Sequence, residues 1–416
     1  MNKPSEMRAC SFLRIVSWAT YDLANTIFAI NILSLYFPLW LIKDRGGSDL
    51  LYASASSASL FLASCLMPFL GTLSDHLRKR MIFLIPTTLF CVMATGFLSR
   101  ASSLKSALLL FGIAHLNYQL GLVFYDALLP HVSSSKMIGR VSGIGVALGY
   151  VGTLVGLALV RPYVLTRGHQ AAFLPTAIFF FLFSLPCFCM VRDPSGDGHS
   201  SPNFSLVREA KERFKKGIGQ FGEGTPLRQF LGIHFFSLLA IQPVILFMSI
   251  YTQNVIGLND REMITFFFLT TLSAIPGSFI SGILTDLVGP RRTLLFSLGG
   301  WCLGLLGALI AIHRWHFLLS GSILGAALGA TWVSGRVLVI RLSSPEYLGE
   351  IFGCVGLVGR IAAILGPLLW GGIVLGLRDY FPLNYRAALL CLLFWVLISF
   401  LLLVKRLPES FFGGTP

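Results

Sequence analysis

Twelve long apolar stretches, separated by short segments rich in Gly, Pro and charged residues, constrain this chain more than any other feature. Each stretch is long enough to cross a bilayer as a helix, which takes about 20 residues. Lipid offers no partner to a free backbone N–H or C=O group, so we expect helices in every stretch. The predicted spans are 15–42, 52–73, 81–99, 104–129, 140–162, 171–191, 229–255, 262–286, 292–312, 315–342, 347–377 and 384–404.

The composition also indicates a membrane protein, and it argues against other classes. Only 12% of the residues are charged, whereas soluble domains carry about 25%. The net charge of +14 fits basic cytoplasmic loops better than a nucleic-acid surface. We therefore expect the lipid bilayer as a partner and no nucleic acid. The sequence has no phosphate-binding loop, metal-ligand spacing or nucleophile–base pattern, which predicts no cofactor, no metal site and no enzyme.

Lys and Arg residues predict the orientation of the chain. One long connection, which contains "REAKERFKK", is predicted to form a cytoplasmic amphipathic helix at 192–228 and divides the spans six plus six. The predicted domains are thus a bundle at 1–191, this linker, and a bundle at 229–416. With the N-terminus inside, inner segments hold about twice as many Lys and Arg residues as outer loops, which favours cytoplasmic termini. The short loops suggest a bacterial inner membrane, and we expect a monomer.

Two pairs of matching stretches indicate an internal duplication. "GTLSDHLRKR" follows span 2 and "GILTDLVGPRR" follows span 8, at an offset of 211 residues. The glycine-rich starts of spans 5 and 11 match at an offset of 210, for example Gly149 with Gly359. Duplication of this kind is common in membrane transporters. In the first pair, the aligned residues are Gly71, Asp75 and Arg80 in one copy and Gly282, Asp286 and Arg291 in the other.

The loop motif G-x-x-x-D-x-x-G-x-R-R resembles the signature loop of the major facilitator superfamily. The second copy fits well, whereas the first has Arg78 where a Gly is usual. An Asp at a helix end can accept hydrogen bonds from a neighbouring helix N-terminus, and an Arg can pair with it. The resemblance implies an all-α integral membrane protein, with twelve transmembrane helices in two pseudo-symmetric six-helix bundles.

Three further stretches resemble the branch of this superfamily related to the fungal autophagy-linked vacuolar effluxers, which also has bacterial members. They are "YDLANTIFA", "FYDALLPHVSSSKMIGRVSGIGVALGYVG" and "SGRVLVIRLSSPEYLGEIFGCVGLVGRIAAILGPLLWGG". The chain departs from the branch at Asp126, where Asn is usual, and at Trp332, where Gln is frequent. The resemblance implies export of small solutes such as amino acids.

Charged residues within the spans are the first candidates for function. The resemblance implies that helices 1, 4, 7 and 10 line a central cavity. Asp22, Asp126 and Arg336 fall in the cytoplasmic third of three of these helices, by the 1.5 Å rise per residue. We hypothesise that the two carboxylates pair with Arg336 across the halves and form a cytoplasmic gate. The alternative is that each is satisfied by a local helix end or a solvated vestibule.

Mid-membrane polar residues are the second set of candidates. Arg360 lies near the middle of span 11, where it either anchors a substrate carboxylate or phosphate or forms a structural pair. His115, Tyr118 and Gln119 share one helical face and either bind a polar solute or pack helices together. His115 is also a candidate proton carrier. Further candidates for lining the cavity are Tyr21, Asn25, Gln242 and Trp332.

These features predict a secondary active transporter that works by alternating access. We expect a small-molecule substrate that is polar, zwitterionic or anionic, resembles an amino acid, and is exported, with proton coupling as one driving force. One alternative is a lipid or lipophilic-compound transporter of the same fold. An alternative of another class is a non-transporting membrane sensor or a membrane-embedded enzyme.

Overall fold

The all-α fold with twelve membrane spans is confirmed within the described part of the chain. The computed structural model describes residues 4–47, 49–193, 222, 224–258, 260–311 and 313–407. Twelve of its helices are long and apolar enough to cross a membrane. The predicted amphipathic helix falls almost entirely in 194–221, outside the described residues. The helices are α1 (Pro4–Phe28), α2 (Asp49–Leu77), α3 (Met81–Leu98), α4 (Leu104–Val132), α5 (Ile138–Arg167), α6 (Phe173–Met190), α7 (Pro226–Tyr251), α8 (Asp260–Val288), α9 (Pro290–Ile310), α10 (Arg314–Leu342), α11 (Leu348–Gly376) and α12 (Leu383–Arg406).

The first helix of each half ends in a π-helical turn. Beyond α1, the chain continues through Ala29–Leu35 and Trp40–Asp44, both π-helical, with a short α-helical piece between them. Pro38 lies in that piece and cannot donate a backbone hydrogen bond, which favours a widened turn here. Beyond α7, residues Thr252–Ile256 are also π-helical. Such turns often occur at functional sites.

The chain divides into two compact units. The first unit comprises Met1–Lys215 together with Pro345–Cys354, and the second comprises Lys216–Ser344 and Val355–Pro416. In the first unit, α1 packs against α5 and α6, while α4 packs against α2 and α3. In the second unit, α7 packs against α12, and α10 packs against α8 and α9. The shared pattern of α4 and α10, each packed against the two helices before it, agrees with the duplication in the sequence.

Glycines allow the closest helix contacts in each unit. A Cβ atom at Gly152 of α5 would lie 2.5 Å from the backbone oxygen of Leu23 in α1. In the second unit, a Cβ at Gly366 of α11 would lie 2.5 Å from the backbone oxygen of Leu239 in α7. Only a residue without a side chain fits where two backbones approach this closely. The glycine-rich spans are therefore packing surfaces.

The signature turn after α2 lacks the usual glycine and still contains a residue with positive φ. Arg78 has φ +52°, and its backbone N–H donates to Asp75 O at 3.2 Å. Gly289, the equivalent residue in the second copy, has φ +92° and ψ 154°, outside the left-handed helical region. A left-handed backbone costs an ordinary L-residue about 1–2 kcal/mol. The first copy therefore carries a conformational cost that a glycine at this position would avoid.

Candidate functional site

Asp75 of the signature loop holds the start of α11 within the first unit. Its Oδ2 accepts from the backbone N–H of Gly349 at 2.6 Å and of Glu350 at 3.2 Å. Its Oδ1 accepts from Arg80 Nη2 at 2.8 Å, and both side chains are buried. The carboxylate thus faces the positive end of a helix dipole and a guanidinium at once.

The arginines of the two signature loops have different partners. Arg80 also places Nη1 at 3.1 Å from His131 Nδ1, at the end of α4. Arg291 instead donates to backbone oxygens at the end of α12, among them Leu403 O at 3.4 Å and Leu407 O. The first loop therefore serves a helix N-terminus through Asp75, and the second serves a helix C-terminus through Arg291. Sequence alignment alone gives no sign of this difference.

A buried hydrogen-bonded cluster joins α2 and α4; we call Ser59, His115 and Gln119 the His115 cluster. Ser59 Oγ donates to Ser56 O at 2.8 Å and lies 2.8 Å from His115 Nδ1. Gln119 Nε2 lies 3.0 Å from His115 Nε2. Because the serine proton is used by Ser56 O and the amide nitrogen can only donate, these contacts define the Nδ1–H tautomer. The cluster is a set of exchangeable donors and acceptors deep in an apolar helix pair.

Two of the predicted lining residues on α4 and α1 are engaged in packing. The Tyr118 ring lies 5.0 Å from Phe28 of α1. The hydroxyl of Tyr21 lies 2.7 Å from Thr88 Oγ1, and Tyr21 is 1% exposed. The structure therefore brings His115 and Gln119 together, places the Tyr118 ring against α1 and pairs Tyr21 with Thr88.

Two of the predicted polar side chains lie on α1. Asp22 lies close to α5, and Asn25 is buried in the first unit. A Cβ at Gly145 of α5 would lie 3.1 Å from Asp22 Oδ2. One turn further, Asn25 is 3% exposed, and its amide nitrogen has no hydrogen-bond partner among the described residues. Asn31 is fully buried and places Nδ2 at 3.5 Å from Gly156 O. Asn25 therefore carries donor capacity that the described protein atoms do not use.

Asp126 and Arg336 occupy equivalent positions of α4 and α10, 210 residues apart. Residues 121–130 of α4 and residues 331–340 of α10 show the same burial pattern. In both segments, a partly exposed residue recurs every four positions. Asp126 and Arg336 lie in these stripes, as does Trp332 one turn before Arg336. Trp18 fixes the α4 end by stacking on Tyr125 at 4.6 Å. The duplication has thus placed opposite charges at matching positions.

Arg360 and Gln242 are partly buried in the second unit. Arg360 Nη1 donates to Gly356 O at 2.8 Å, one turn back on the same helix. Gln242 directly precedes Pro243, whose ring would be 2.9 Å from a Cβ at Gly366. His234 stacks on Phe230 at 5.5 Å. The contact of Arg360 with Gly356 O lies within one helix and uses Nη1 of the guanidinium.

Ser59 and His131 were not predicted as neighbours of the candidate residues. Ser59 lies in the small-residue run "ASASSASL", and only the three-dimensional structure places it opposite His115. His131 directly follows Pro130, and the sequence gives no sign of its contact with Arg80. Among the described residues, no three His, Cys, Asp or Glu side chains come together as a metal site.

Comparison with known proteins gives the family. The family model described as Major Facilitator Superfamily matches residues 23–278 and 230–415. An uncharacterized protein of Aquifex aeolicus (strain VF5) is 25% identical over 404 residues, which cover 94% of this chain and 97% of that protein. The uncharacterized MFS-type transporter YxiO of Bacillus subtilis (strain 168) is 24% identical, over 85% of this chain and 86% of that protein.

A solved structure of the same fold supports this result. The crystal structure of the human organic anion transporter MFSD10 (TETRAN) superposes with a TM-score of 0.73 at 15% identity, and covers 97% of this chain and 100% of that chain. At this identity the likeness concerns the fold. The matched family model extends over nearly the whole chain. This multi-pass integral membrane protein therefore belongs to the major facilitator superfamily of transporters.

Proposed function

We propose that this transporter exports a small polar solute with a carboxylate or another anionic group, such as an amino acid, by alternating access. The observation that carries the proposal is Arg360. A guanidinium is always charged, and inside an apolar helix it is retained only where it has acceptors. Arg360 Nη1 donates to Gly356 O at 2.8 Å on the same helix. A substrate carboxylate is a bidentate partner for such a group.

The His115 cluster supports the polar character of the substrate. Its three side chains supply both donors and acceptors within α2 and α4. Asn25 adds an unused buried amide nitrogen among the described residues. Buried donors without protein partners cost about 1–3 kcal/mol each unless a ligand or water satisfies them. A purely lipophilic substrate would leave that cost in place.

Two further parts of the proposal rest on resemblance. Similarity to the autophagy-linked vacuolar effluxer branch supports amino-acid-like substrates and export, and MFSD10, which has the same fold, is a human organic anion transporter. A proton carried by His115 is the proposed coupling ion, because imidazole changes charge near neutral pH. We propose a monomer in a bacterial inner membrane with both termini in the cytoplasm, since inner segments are the more basic.

Asp22, Asp126 and Arg336 form the proposed cytoplasmic gate. The support is their charge and position: two carboxylates and one guanidinium lie in α1, α4 and α10, and Asp126 and Arg336 are equivalent in the repeat. Opposite charges that pair in one conformation and separate in the other bias an alternating-access equilibrium by their differential interaction. The gate proposal is independent of the identity of the substrate.

A ligand-induced thermal-shift screen on detergent-purified protein tests the proposed substrate class. The panel holds amino acids, organic acids, sugars, nucleosides, lysolipids and lipophilic cations. A ligand that binds only the folded protein at 100 times its Kd stabilises it by about 2.7 kcal/mol. We expect an amino acid or organic acid to raise the melting temperature of the wild type but not of Arg360→Gln.

Arg378→Gln is the matched control, because Arg378 also lies in the second unit but is 75% exposed at the side chain. This variant should respond to the same ligand as the wild type does. Shifts caused only by lysolipids or lipophilic cations would replace the proposal with a lipophilic-compound transporter. An unchanged response in Arg360→Gln would remove Arg360 from the site.

A further inference from the structure

A cavity of about 260 Å³ lies at one end of the second unit, away from the residues proposed for transport. It is formed where α7 and α9 end and where α10 and α12 begin. Arg314 and Arg386 line it on the helix starts. Its apolar lining consists of Val255, Ile256, Leu309, Ile310 and Ala311. Two guanidinium groups therefore stand beside an apolar wall.

The two arginines differ in how their charge is balanced. Arg314 donates to Glu262 and forms an ion pair with it. For Arg386, no carboxylate within 4.0 Å is found among the described residues. The cavity consequently carries a net positive charge from the described side chains that line it. A phosphate-type oxyanion is the complementary ligand, because a guanidinium binds it through two parallel hydrogen bonds.

The corresponding end of the first unit is closed by the chain itself. At the end of α3, Arg45 donates to Ala101 O at 3.3 Å and to Ser102 O at 3.4 Å. Gln170 Nε2 donates to Leu98 O at 3.3 Å and to Ala101 O at 3.1 Å. The backbone oxygens after this helix are therefore covered by two polar side chains of the same unit.

The second unit has a cavity where the first has those side chains. By the offset of the repeat, the end of α9 corresponds to the end of α3, and Leu309, Ile310 and Ala311 at that end line the cavity. The residue directly after the π-helical turn is Arg45 in the first unit and Gly257, which has no side chain, in the second. The duplicated units thus differ at this corner, where the second unit has room for an external group.

The cavity lies at the level of a membrane interface. Ile310, which lines it, is 65% exposed, and Trp315, next to Arg314 in sequence, is 79% exposed. Phe381, five residues before Arg386, is 62% exposed. Exposed aromatic side chains at helix ends collect at the headgroup level of a bilayer. A ligand here meets acyl chains on one side and water on the other.

We propose that this cavity binds an anionic phospholipid. Its phosphate group contacts Arg386 and Arg314, and the part of its acyl chain nearest the head group lies on the apolar wall. A guanidinium binds phosphate oxygens through paired hydrogen bonds, the chemistry by which basic pockets on the cytoplasmic side of membrane helices hold lipid head groups. By the distribution of Lys and Arg, the cavity belongs to the outer leaflet. The proposal concerns a structural lipid, so it is independent of the transported substrate.

Native mass spectrometry of the delipidated full-length protein, titrated with phosphatidylglycerol, tests the proposal. The comparison ligands are phosphatidylcholine with the same chains and inorganic phosphate. We expect the wild type to bind phosphatidylglycerol more tightly than either. Arg386→Gln should weaken phosphatidylglycerol binding about tenfold, the usual value of one charged hydrogen bond. Arg378→Gln, which changes an exposed arginine outside the cavity, should bind like the wild type.

Ala311→Leu is the second variant, because it fills the cavity and keeps both arginines. It should also lose phosphatidylglycerol binding, while its melting temperature without lipid shows that it is folded. Equal binding of phosphatidylcholine would overturn the role of the anionic head group. Inorganic phosphate binding as tightly as the lipid would overturn the lipid assignment. Unchanged phosphatidylglycerol binding in both variants would overturn the site.

Discussion

Asp75 Oδ2 accepts a 2.6 Å hydrogen bond from the backbone N–H of Gly349, although the two residues are 274 positions apart in the chain. The same carboxylate pairs with Arg80, which is 5% exposed. This contact ties the end of α2 to the beginning of α11. It explains why residues Pro345–Cys354 belong to the first compact unit, although they follow most of the second in sequence.

Removing the Asp75 carboxylate should destabilise the first unit. Asp75→Ala leaves the N-terminus of α11 without its acceptor and Arg80 without its buried counter-charge. Breaking a buried charge pair from one side costs roughly 3–5 kcal/mol. We expect a lower melting temperature by differential scanning fluorimetry in detergent. Asp286→Ala, the equivalent change in the second loop, is the comparison, and a larger loss there would contradict the role assigned to Asp75.

Gly71 should not tolerate even a methyl group. Its Cβ would lie 2.3 Å from Gly349 O and 2.6 Å from Gly349 C, and backbone atoms cannot rotate away. Gly71→Ala must separate α2 from the start of α11, at about 1–3 kcal/mol for overpacking. The control is Gly112→Ala, where no atom lies within 4 Å of the added Cβ. Equal melting temperatures for the two variants would show that the helices are not in contact there.

Arg78→Gly should stabilise the protein. Removing the left-handed conformation from a non-glycine residue stabilises the folded protein by about 1–2 kcal/mol. The greater conformational freedom of glycine in the unfolded chain offsets about 0.5–1 kcal/mol of this gain. The net gain is therefore between about 0 and 1.5 kcal/mol, measured as a higher melting temperature. Lys79→Gly removes the same charge next door without that relief. If both variants shift alike, charge and not backbone conformation controls the turn.

Charge reversal tests the cytoplasmic gate. Asp126→Arg or Arg336→Asp alone should place like charges together and change the balance of inward- and outward-open forms, whereas the double variant should restore it. Coupling energies of 0.5–3 kcal/mol are usual for interacting residues, so a shift of about tenfold is expected in a cysteine-accessibility assay. Additive effects of the two changes would contradict pairing.

We expect transport to depend on the face of α4 that carries the His115 cluster. Gln119→Leu removes the partner of His115 Nε2 and should lower transport about tenfold, the value of one hydrogen bond to a polar group. Asn117→Leu is the matched control, because Asn117 donates to Ile113 O on its own helix and is two residues away. Equal losses in both variants would indicate damage to α4 and not a defined site.

The sequence predicted the architecture because the bilayer imposes a simple rule on it. Twelve apolar stretches were expected to be helices, and all twelve are present in the described residues. Side-chain partners were harder to predict from the sequence, because they depend on which helices pack together. The hydroxyl of Tyr21 lies against Thr88 of α3, and the ring of Tyr118 lies against Phe28 of α1. Neither contact could be predicted without knowing which helices are neighbours.

Local backbone conformation also could not be predicted from the sequence pattern. Arg78 has a positive φ of +52° although it is not a glycine, and its backbone N–H donates to Asp75 O. The different duties of Arg80 and Arg291 arise from which helix end each loop meets. Neither effect leaves a periodic pattern in the sequence, so only the three-dimensional structure reveals it.

Solute exchange in proteoliposomes tests the central claim most directly. Vesicles containing the purified protein are loaded with the amino acid or organic acid that stabilises it, and an opposing proton gradient is imposed. We expect gradient-dependent movement of that solute, at least about tenfold slower in Arg360→Gln and unchanged in Arg378→Gln. Movement of lipophilic compounds only, or wild-type exchange by Arg360→Gln, would contradict the account.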